Sequence, residues 1–320
     1  MNKTALITGI TGQDGAYLAE LLIKKGYNVI GLVRSYSNVN IKGLEYLGIK
    51  EKVRIEECDL SDLSQVISTI KEYLPDEIYN LAAQSSVSLS FKQPIGTIQF
   101  NIISVLNILE TIRMLRPACK FYQASSSEVF GKSALPIRET SFISPISPYS
   151  ISKASAHWIT KNYRESYSIF SCSGFLFNHE SYLRSDNFFV KKTILQAIKI
   201  KYGHAEFLEV GNIDVKRDFG WAPKYVEAMY LMLQQETPED FLICSNYSVS
   251  LRSIIEFVFD YLNVSLTRLK INENLFRPTE IPDIYGDNTK AKQKLGWEYS
   301  FSFFEILKIL IDEELRCYRQ

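Results

Sequence analysis

The 320-residue chain is 46% hydrophobic and carries 36 Lys+Arg against 36 Asp+Glu, a formal charge of zero that argues against a general nucleic-acid or membrane-surface binder. Its five cysteines (Cys58, Cys119, Cys172, Cys244 and Cys317) are scattered and form no Cys-x-x-Cys, so neither a disulfide framework nor a metal site is expected, and a reduced compartment fits. Thr4 to Thr8 already reads as a strand, which leaves no room for a signal peptide, and no apolar run is expected to cross a bilayer; the expectation is a cytoplasmic protein without nucleic-acid or membrane partners.

After that first strand, Gly9-Ile10-Thr11-Gly12-Gln13-Asp14-Gly15 opens a helix from Ala16 to Lys25 with Tyr17, Leu18, Leu21 and Leu22 inward. Glycines also make ordinary turns, but between a strand and a helix they let the backbone approach a pyrophosphate, whose charge the helix N-terminus favours. Asn28 to Val33 is the second strand and ends at Arg34, where an NAD site usually carries an acidic residue. Arginine there suits a 2′-phosphate, so NADP is preferred and NAD is the alternative. Residues 36 to 48 read as a solvated loop with a short helix, Val53 to Cys58 as a third strand ending at Asp59, and Asp62 to Tyr73 as a helix with Leu63, Val66, Ile67 and Ile70 inward. Glu77 to Ala83 is a fourth strand, 94 to 115 a long amphipathic helix, and Lys120 to Ala124 a fifth strand. This alternation predicts an α/β fold with a doubly wound parallel (Rossmann) sheet and right-handed crossovers.

Ser147-Pro148 opens the next helix. Ile169 to Asn178 reads as a buried strand ending in Asn178-His179-Glu180-Ser181, where His179 is either a substrate contact or a structural hydrogen-bonder. A helix over Phe188 to Tyr202, a strand over Phe207 to Asp214, a charged turn at Lys216-Arg217-Asp218, a helix over Trp221 to Gln235, a strand over Phe241 to Cys244 and a helix over Ser250 to Leu262 follow, and Trp297 is expected as a core anchor. The expected division is a dinucleotide-binding domain over 1–177, to which segments of about 207–240 return, and a smaller mixed α/β substrate domain over 178–320.

The chemistry concentrates between Ser125 and Lys153. Ser126 and Glu128, two apart in extended chain, point the same way. Tyr149 and Lys153, four apart, share one helical face. A phenol with a reference pKa near ~10 becomes a usable base when a cation sits beside it. Gly131-Lys132-Ser133 imitates the end of a Walker A motif, but the required earlier glycine is Ser126, and no Gly-x-Ser-x-Gly occurs. A non-enzymatic dinucleotide-binding regulator would have no reason to keep Ser126, Glu128, Tyr149 and Lys153 together.

Gly9-x-x-Gly12-x-x-Gly15, Asn80-Leu81-Ala82-Ala83 and Tyr149-x-x-x-Lys153 together resemble the extended short-chain dehydrogenase/reductases. Within them, ITGITGQDGAYLAE, LAAQSSV, SSSEVFGK, SPYSISK, LFNHES, GNIDVKRDFGWAPKYVEAM and RPTE resemble GDP-mannose 4,6-dehydratases along nearly the whole chain. The resemblance implies a catalytic set of Ser126, Glu128, Tyr149 and Lys153, serine standing where the family has threonine. It implies cofactor contacts at Gly9, Gly12, Gln13, Asp14, Gly15, Arg34, Asp59, Leu60, Leu81, Ala82, Gln84, Ser85, Lys153, His179 and Arg184. It places substrate contacts at Ser85, Ser126, Asn178, Glu180, Lys192, Arg217, Arg277 and Glu280, and no metal. A GDP-linked hexose or heptose as substrate and a homodimer or homotetramer are implied as well. The chain departs from the family in having Ser35 after Arg34 in a shortened loop, Tyr182 in place of proline and Ser185 in place of glycine. These departures keep NAD open as cofactor and a GDP-manno-heptose open as substrate. A reductase or epimerase of the same fold is the alternative activity, and Glu128 is the feature that separates them.

Overall fold

The computed structural model describes residues 2 to 318. A seven-stranded sheet organises it, made of β1 Thr4–Thr8, β2 Asn28–Val33, β3 Val53–Glu57, β4 Glu77–Asn80, β5 Lys120–Ser126, β6 Ser171–Leu176 and the edge strand Phe241–Ile243. The order is 3-2-1-4-5-6 with the edge strand beyond β6, and every pairing is parallel. The chain therefore winds outward from β1 in both directions, and the switch point lies between β1 and β4.

The two-residue period of a strand decides the layers. Ala5 and Ile7 face a core shared with helices Gln13–Lys24 and Ala222–Leu233. Leu6, between them, joins the opposite core, with Val66 and Ile70 of helix Leu63–Tyr73, Val105 and Ile108 of Pro94–Leu115, and Tyr163 of Pro148–Tyr167. A strand covered on both faces has to be largely apolar, which is why β1 and β2 read as near-continuous runs. Local caps fix the helix starts: the Asp62 carboxylate accepts from Ser64 N and Gln65 N, and Ser147 and Ser150 cap each other reciprocally around Pro148.

Helix Pro94–Leu115 corrects one expectation, because by length and apolar composition alone it could cross a membrane. It is half buried and packs against the sheet and Pro148–Tyr167, and its Asn107 side chain reaches Leu60 O at 2.9 Å. Two strands are shorter than the sequence implies. The run 169–178 breaks after Leu176, and Asn178–Glu180 pairs instead with Phe219–Trp221 in a separate two-stranded sheet. Of 207–214 only Leu208–Val210 is extended, paired with Leu269–Ile271. Lys216-Arg217-Asp218 is not a turn. Lys216–Arg217 is a strand antiparallel to Val249–Ser250, and Asp218 is fully buried, accepting from Ser245 N at 2.9 Å and Ser245 Oγ at 2.7 Å.

A second core gathers Val190 and Ile194 of Phe189–Lys201, Leu208, Phe219, Ile254 and Phe259 of Leu251–Leu262, and Phe303 and Ile311 of Phe303–Tyr318. Between leaving β6 and reaching the edge strand, the chain passes through this core and back again, so that Ala222–Leu233 lies on the first helix; beyond the edge strand Trp297 returns to the first core, its Nε1 donating to Lys224 O at 2.9 Å.

At the amino end of the sheet Glu77, 1% exposed, accepts from Lys3 Nζ and Tyr27 OH at 3.0 Å, from Gln234 Nε2 at 3.2 Å and from Tyr79 OH at 2.8 Å. Glu77→Ala strands these donors, Tyr79 among them fully buried. It is expected to cost about 2–3 kcal/mol of unfolding free energy, read from urea denaturation, with activity at permissive temperature retained.

Candidate active site

Register places a polar ladder at the carboxyl edge of the sheet. Thr8 pairs with Asn80 and Asn80 with Gln123, so one side chain per strand links β1, β4 and β5. Thr8 Oγ1 donates to Asn80 Oδ1 at 2.7 Å, Asn80 Nδ2 to Gln123 Oε1 at 2.8 Å, and Gln123 Nε2 to Ala124 O at 2.9 Å. Thr8 Oγ1 also accepts the N–H groups of Leu81 and Ala82, each at 3.0 Å, which draws the chain out of the sheet and ends β4 at Asn80 rather than at Ala83.

Above this edge lies a cleft of about 1110 Å³. Its floor at one end is the glycine turn. Gly9 has φ +69°, and a side chain at Gly15 would meet Gly9 O at 2.4 Å, so both positions require glycine. No side chain caps the helix that starts at Gln13, and its first turn lines the cleft together with Gly9, Gly12, Leu81, Ala82 and Arg34. Uncapped first-turn N–H groups carry the positive end of the helix dipole, which fits a pyrophosphate.

At the centre, β5 delivers Ser126, the following turn delivers Glu128, and the capped helix Pro148–Tyr167 delivers Tyr149 and Lys153. Ser126 stands close enough to Tyr149 to act on its phenol, and its Oγ accepts from Glu128 N at 3.3 Å. Burial pushes the phenol up to about 12; the Ser126 hydroxyl works against that rise and the Glu128 carboxylate adds to it. Lys153 Nζ donates to Ala124 O at 2.8 Å and lies 5.9 Å from the centre of the Tyr149 ring. Burial pushes its ammonium down to about 8, against the pull of Asp14. Unfolded, the amine stays protonated to 10.5, so folding pays the burial cost in full below pH 8 and progressively less as pH rises from 8 to 10.5. Lys153→Met is therefore expected to raise the melting temperature of the cofactor-free protein at pH 7, with the gain shrinking toward pH 10, as thermal melts across that range would read.

The far wall carries the groups of the second core. Asn178 Nδ2 donates to Asp218 O at 3.3 Å, and Lys192 Nζ to Glu209 O at 2.9 Å. Arg217 Nη2 pairs with Glu280 at 2.9 Å, and Arg277 reaches the same carboxylate oxygen at 3.4 Å. Arg184 lies 3.6 Å from Glu180 Oε1 and stacks on Phe188 at 3.6 Å. Glu180 is buried and its Oε2 has no hydrogen-bond partner; burial raises its carboxyl, partly offset by Arg184 and His179. Among the described residues no group of three or more His, Cys, Asp or Glu could hold a metal ion.

A family model described as GDP-mannose 4,6 dehydratase matches residues 6–310. The chain belongs to that family. It is 42% identical to GDP-mannose 4,6 dehydratase 1 of Arabidopsis thaliana over 98% of this chain and 90% of that one, and 40% identical to the Homo sapiens GDP-mannose 4,6 dehydratase over 99% and 92%. The same fold occurs in the dTDP-glucose 4,6-dehydratase DesIV of Streptomyces venezuelae, solved with NAD and TYD bound (TM-score 0.88, 18% identity, 98% of each chain). It occurs also in a UDP-glucose 4-epimerase of Thermotoga maritima, solved with UDP-glucose (TM-score 0.87, 23% identity, 99% of this chain and 100% of that one).

In this member of the GDP-mannose 4,6 dehydratase family most of the residues singled out in the sequence line one cleft: the four central groups, Gln13, Asp14, Ser85, His179, Glu180, Arg184, Lys192, Arg217, Arg277 and Glu280 with the glycines. Three stand outside the lining. Leu60 is buried with Leu6, Leu32 and Val66, Asp59 accepts from Ser61 N at 2.9 Å, and Gln84 spends its amide on Ser86 O and on Thr97 Oγ1 at 3.0 Å. Sequence reasoning missed the short helix Val87–Lys92, which brings Val87, Ser88 and Phe91 to the cleft; the signal available was Ser86, whose hydroxyl accepts from Leu89 N as its N-cap. Phe188 and Phe276 also line the cleft, and nothing in their sequence context marks them.

Proposed function

We propose that this chain is a nucleotide-sugar 4,6-dehydratase that converts GDP-mannose, or a GDP-manno-heptose, to the GDP-4-keto-6-deoxy sugar and water. The observation that carries this reading is Glu128 lining the same cleft as Ser126, Tyr149, Lys153 and the glycine turn. Family membership supports it. A bound nicotinamide dinucleotide supplies the hydride acceptor for C4 and the hydride donor for C6. Tyr149, as phenolate, takes the proton of the C4 hydroxyl while Ser126 holds that oxygen and the Lys153 ammonium stabilises the phenolate charge. The resulting ketone acidifies C5–H. Glu128 removes that proton and delivers it to the departing C6 hydroxyl, a positioned acid–base step worth ~10²–10⁴-fold.

Arg34, exposed at the end of β2 and lining the cleft, supports NADP over NAD. Glu57, which faces Val33 across the sheet, accepts from Tyr36 N at 2.8 Å, and Glu56 is engaged by Arg54, so Arg34 is the charged group facing the cleft there. Exposed Ile95, Ile151 and Trp158 on the two paired helices support a homodimer or homotetramer. The test is incubation with GDP-mannose and GDP-manno-heptose, in parallel without added nicotinamide and with added NADPH. The expected product has lost one water with no net cofactor consumed; stoichiometric oxidation of added NADPH would make the enzyme a reductase, and an isomer of unchanged mass would make it an epimerase.

A further inference from the structure

One buried hydrogen-bonded pair takes no part in that chemistry. His179 is 7% exposed, with Nδ1 2.7 Å from Phe177 O and Nε2 2.9 and 3.0 Å from the two Asp14 oxygens. A carbonyl and a carboxylate only accept, so each contact needs a hydrogen on the imidazole. Asp14 is held ionised: burial pushes its carboxyl up, but the His179 charge and hydrogen bond, with Arg184, keep it below the ordinary value. Tyr225 stacks on the imidazole at 4.6 Å, while Glu180 and Arg184 are the other charged groups beside the pair and Lys153 and Tyr149 feel Asp14 across the cleft.

The neighbouring residue repeats the connection. Gln13 Nε2 donates to His179 O at 2.9 Å, and Gln13 Oε1 accepts from Ser181 Oγ at 2.8 Å. Two consecutive residues at the uncapped start of the anion-facing helix thus grip the strand that carries Asn178 and Glu180 along the far wall. Without a compensating cation, Asp14 would set a negative charge beside the position suited to a pyrophosphate.

We propose that His179 is a doubly protonated positioning residue: as an imidazolium it cancels the Asp14 charge and pins the glycine turn to the substrate-side strand, so that the dinucleotide site is preassembled and its occupant is retained through turnover. The retention half rests on the dinucleotide reading above; the protonation half does not.

The chain has three histidines, His157, His179 and His204. His157 meets the Ser173 hydroxyl and His204 the Tyr318 hydroxyl, either of which can donate or accept, so only His179 is required by its partners to carry both protons. In ¹⁵N-histidine-labelled protein at neutral pH, assigned with His157→Asn and His204→Asn, the His179 ring is expected to show hydrogen on both nitrogens. A bare nitrogen overturns the proposal, and this measurement uses neither substrate nor cofactor.

The second arm is a double-mutant cycle on dinucleotide affinity by calorimetry. His179→Gln, which leaves the Asp14 charge uncancelled, is expected to weaken binding roughly tenfold, and adding Asp14→Asn to recover most of that loss, as for two charges that offset each other. Unchanged affinity with only a lowered melting temperature would mean a purely structural pair and overturn the retention half, as would losses that add. If the wild type binds no dinucleotide, the functional reading fails while the ¹⁵N result still decides the protonation.

Discussion

Tyr149→Phe is expected to lose turnover by ~10²–10⁴-fold, the usual worth of a positioned proton acceptor, while cofactor affinity and melting temperature stay near wild type. The substitution removes one oxygen and little volume, and the ring remains packed between Ser126 and Lys153. The size of the loss follows from the environment. Burial lifts the phenol to about 12, and the proton leaves only when positive charge gathers around the oxygen. Lys153 sits 5.9 Å from the ring and is held in place by Ala124 O. The measurement is single-turnover oxidation at C4, followed through nicotinamide absorbance; activity within a few-fold of wild type would make Tyr149 a packing residue.

Glu128→Gln should separate the two halves of the reaction. The amide keeps the shape and a hydrogen bond but cannot take the C5 proton, whereas oxidation at C4 needs only Tyr149, Ser126, Lys153 and the cofactor. The variant given substrate and oxidised cofactor is expected to accumulate reduced cofactor and a 4-keto sugar that retains its C6 oxygen. Exchange of the C5 hydrogen with deuterated water should fall by ~10²–10⁴-fold. Undiminished dehydration would reduce Glu128 to a solvated carboxylate at a strand end and assign the C5 proton to another group in the cleft. Because Glu128 also acts electrostatically on Arg217, substrate affinity should be measured alongside, so that a binding loss is not read as a chemical one.

The parts of this molecule governed by local rules are legible in the sequence. Strands buried on both faces advertise themselves as apolar runs, and the Ser147-Pro148 cap fixes the phase of the helix that aims Tyr149 and Lys153. Pairings between distant segments are not legible. Nothing near His179 announces that Asn178–Glu180 will pair with Phe219–Trp221, or that Asp218, at the end of a charged run, will be enclosed by Ser245 and Gly286 from further along the chain. The three charges suggest a turn, and the partners that satisfy Asp218 lie between 27 and 68 residues away. The misjudged end of β4 has the same origin: Leu81 and Ala82 look like strand until the Thr8 hydroxyl, 73 and 74 residues earlier, claims their N–H groups.

The edge strand Phe241–Ile243 gives the sheet a timetable. As the chain emerges from the ribosome, β1 to β6 can assemble in order, but the outer backbone groups of β6 stay unpaired, and the face later covered by Ala222–Leu233 stays bare, until some 65 further residues have followed (from Leu176 to Phe241). An unpaired apolar edge is a template for pairing with another chain. A nascent chain stalled or clipped in that interval would therefore display a finished catalytic helix on a sheet that is still open, and its fate would fall to chaperones rather than to its own packing.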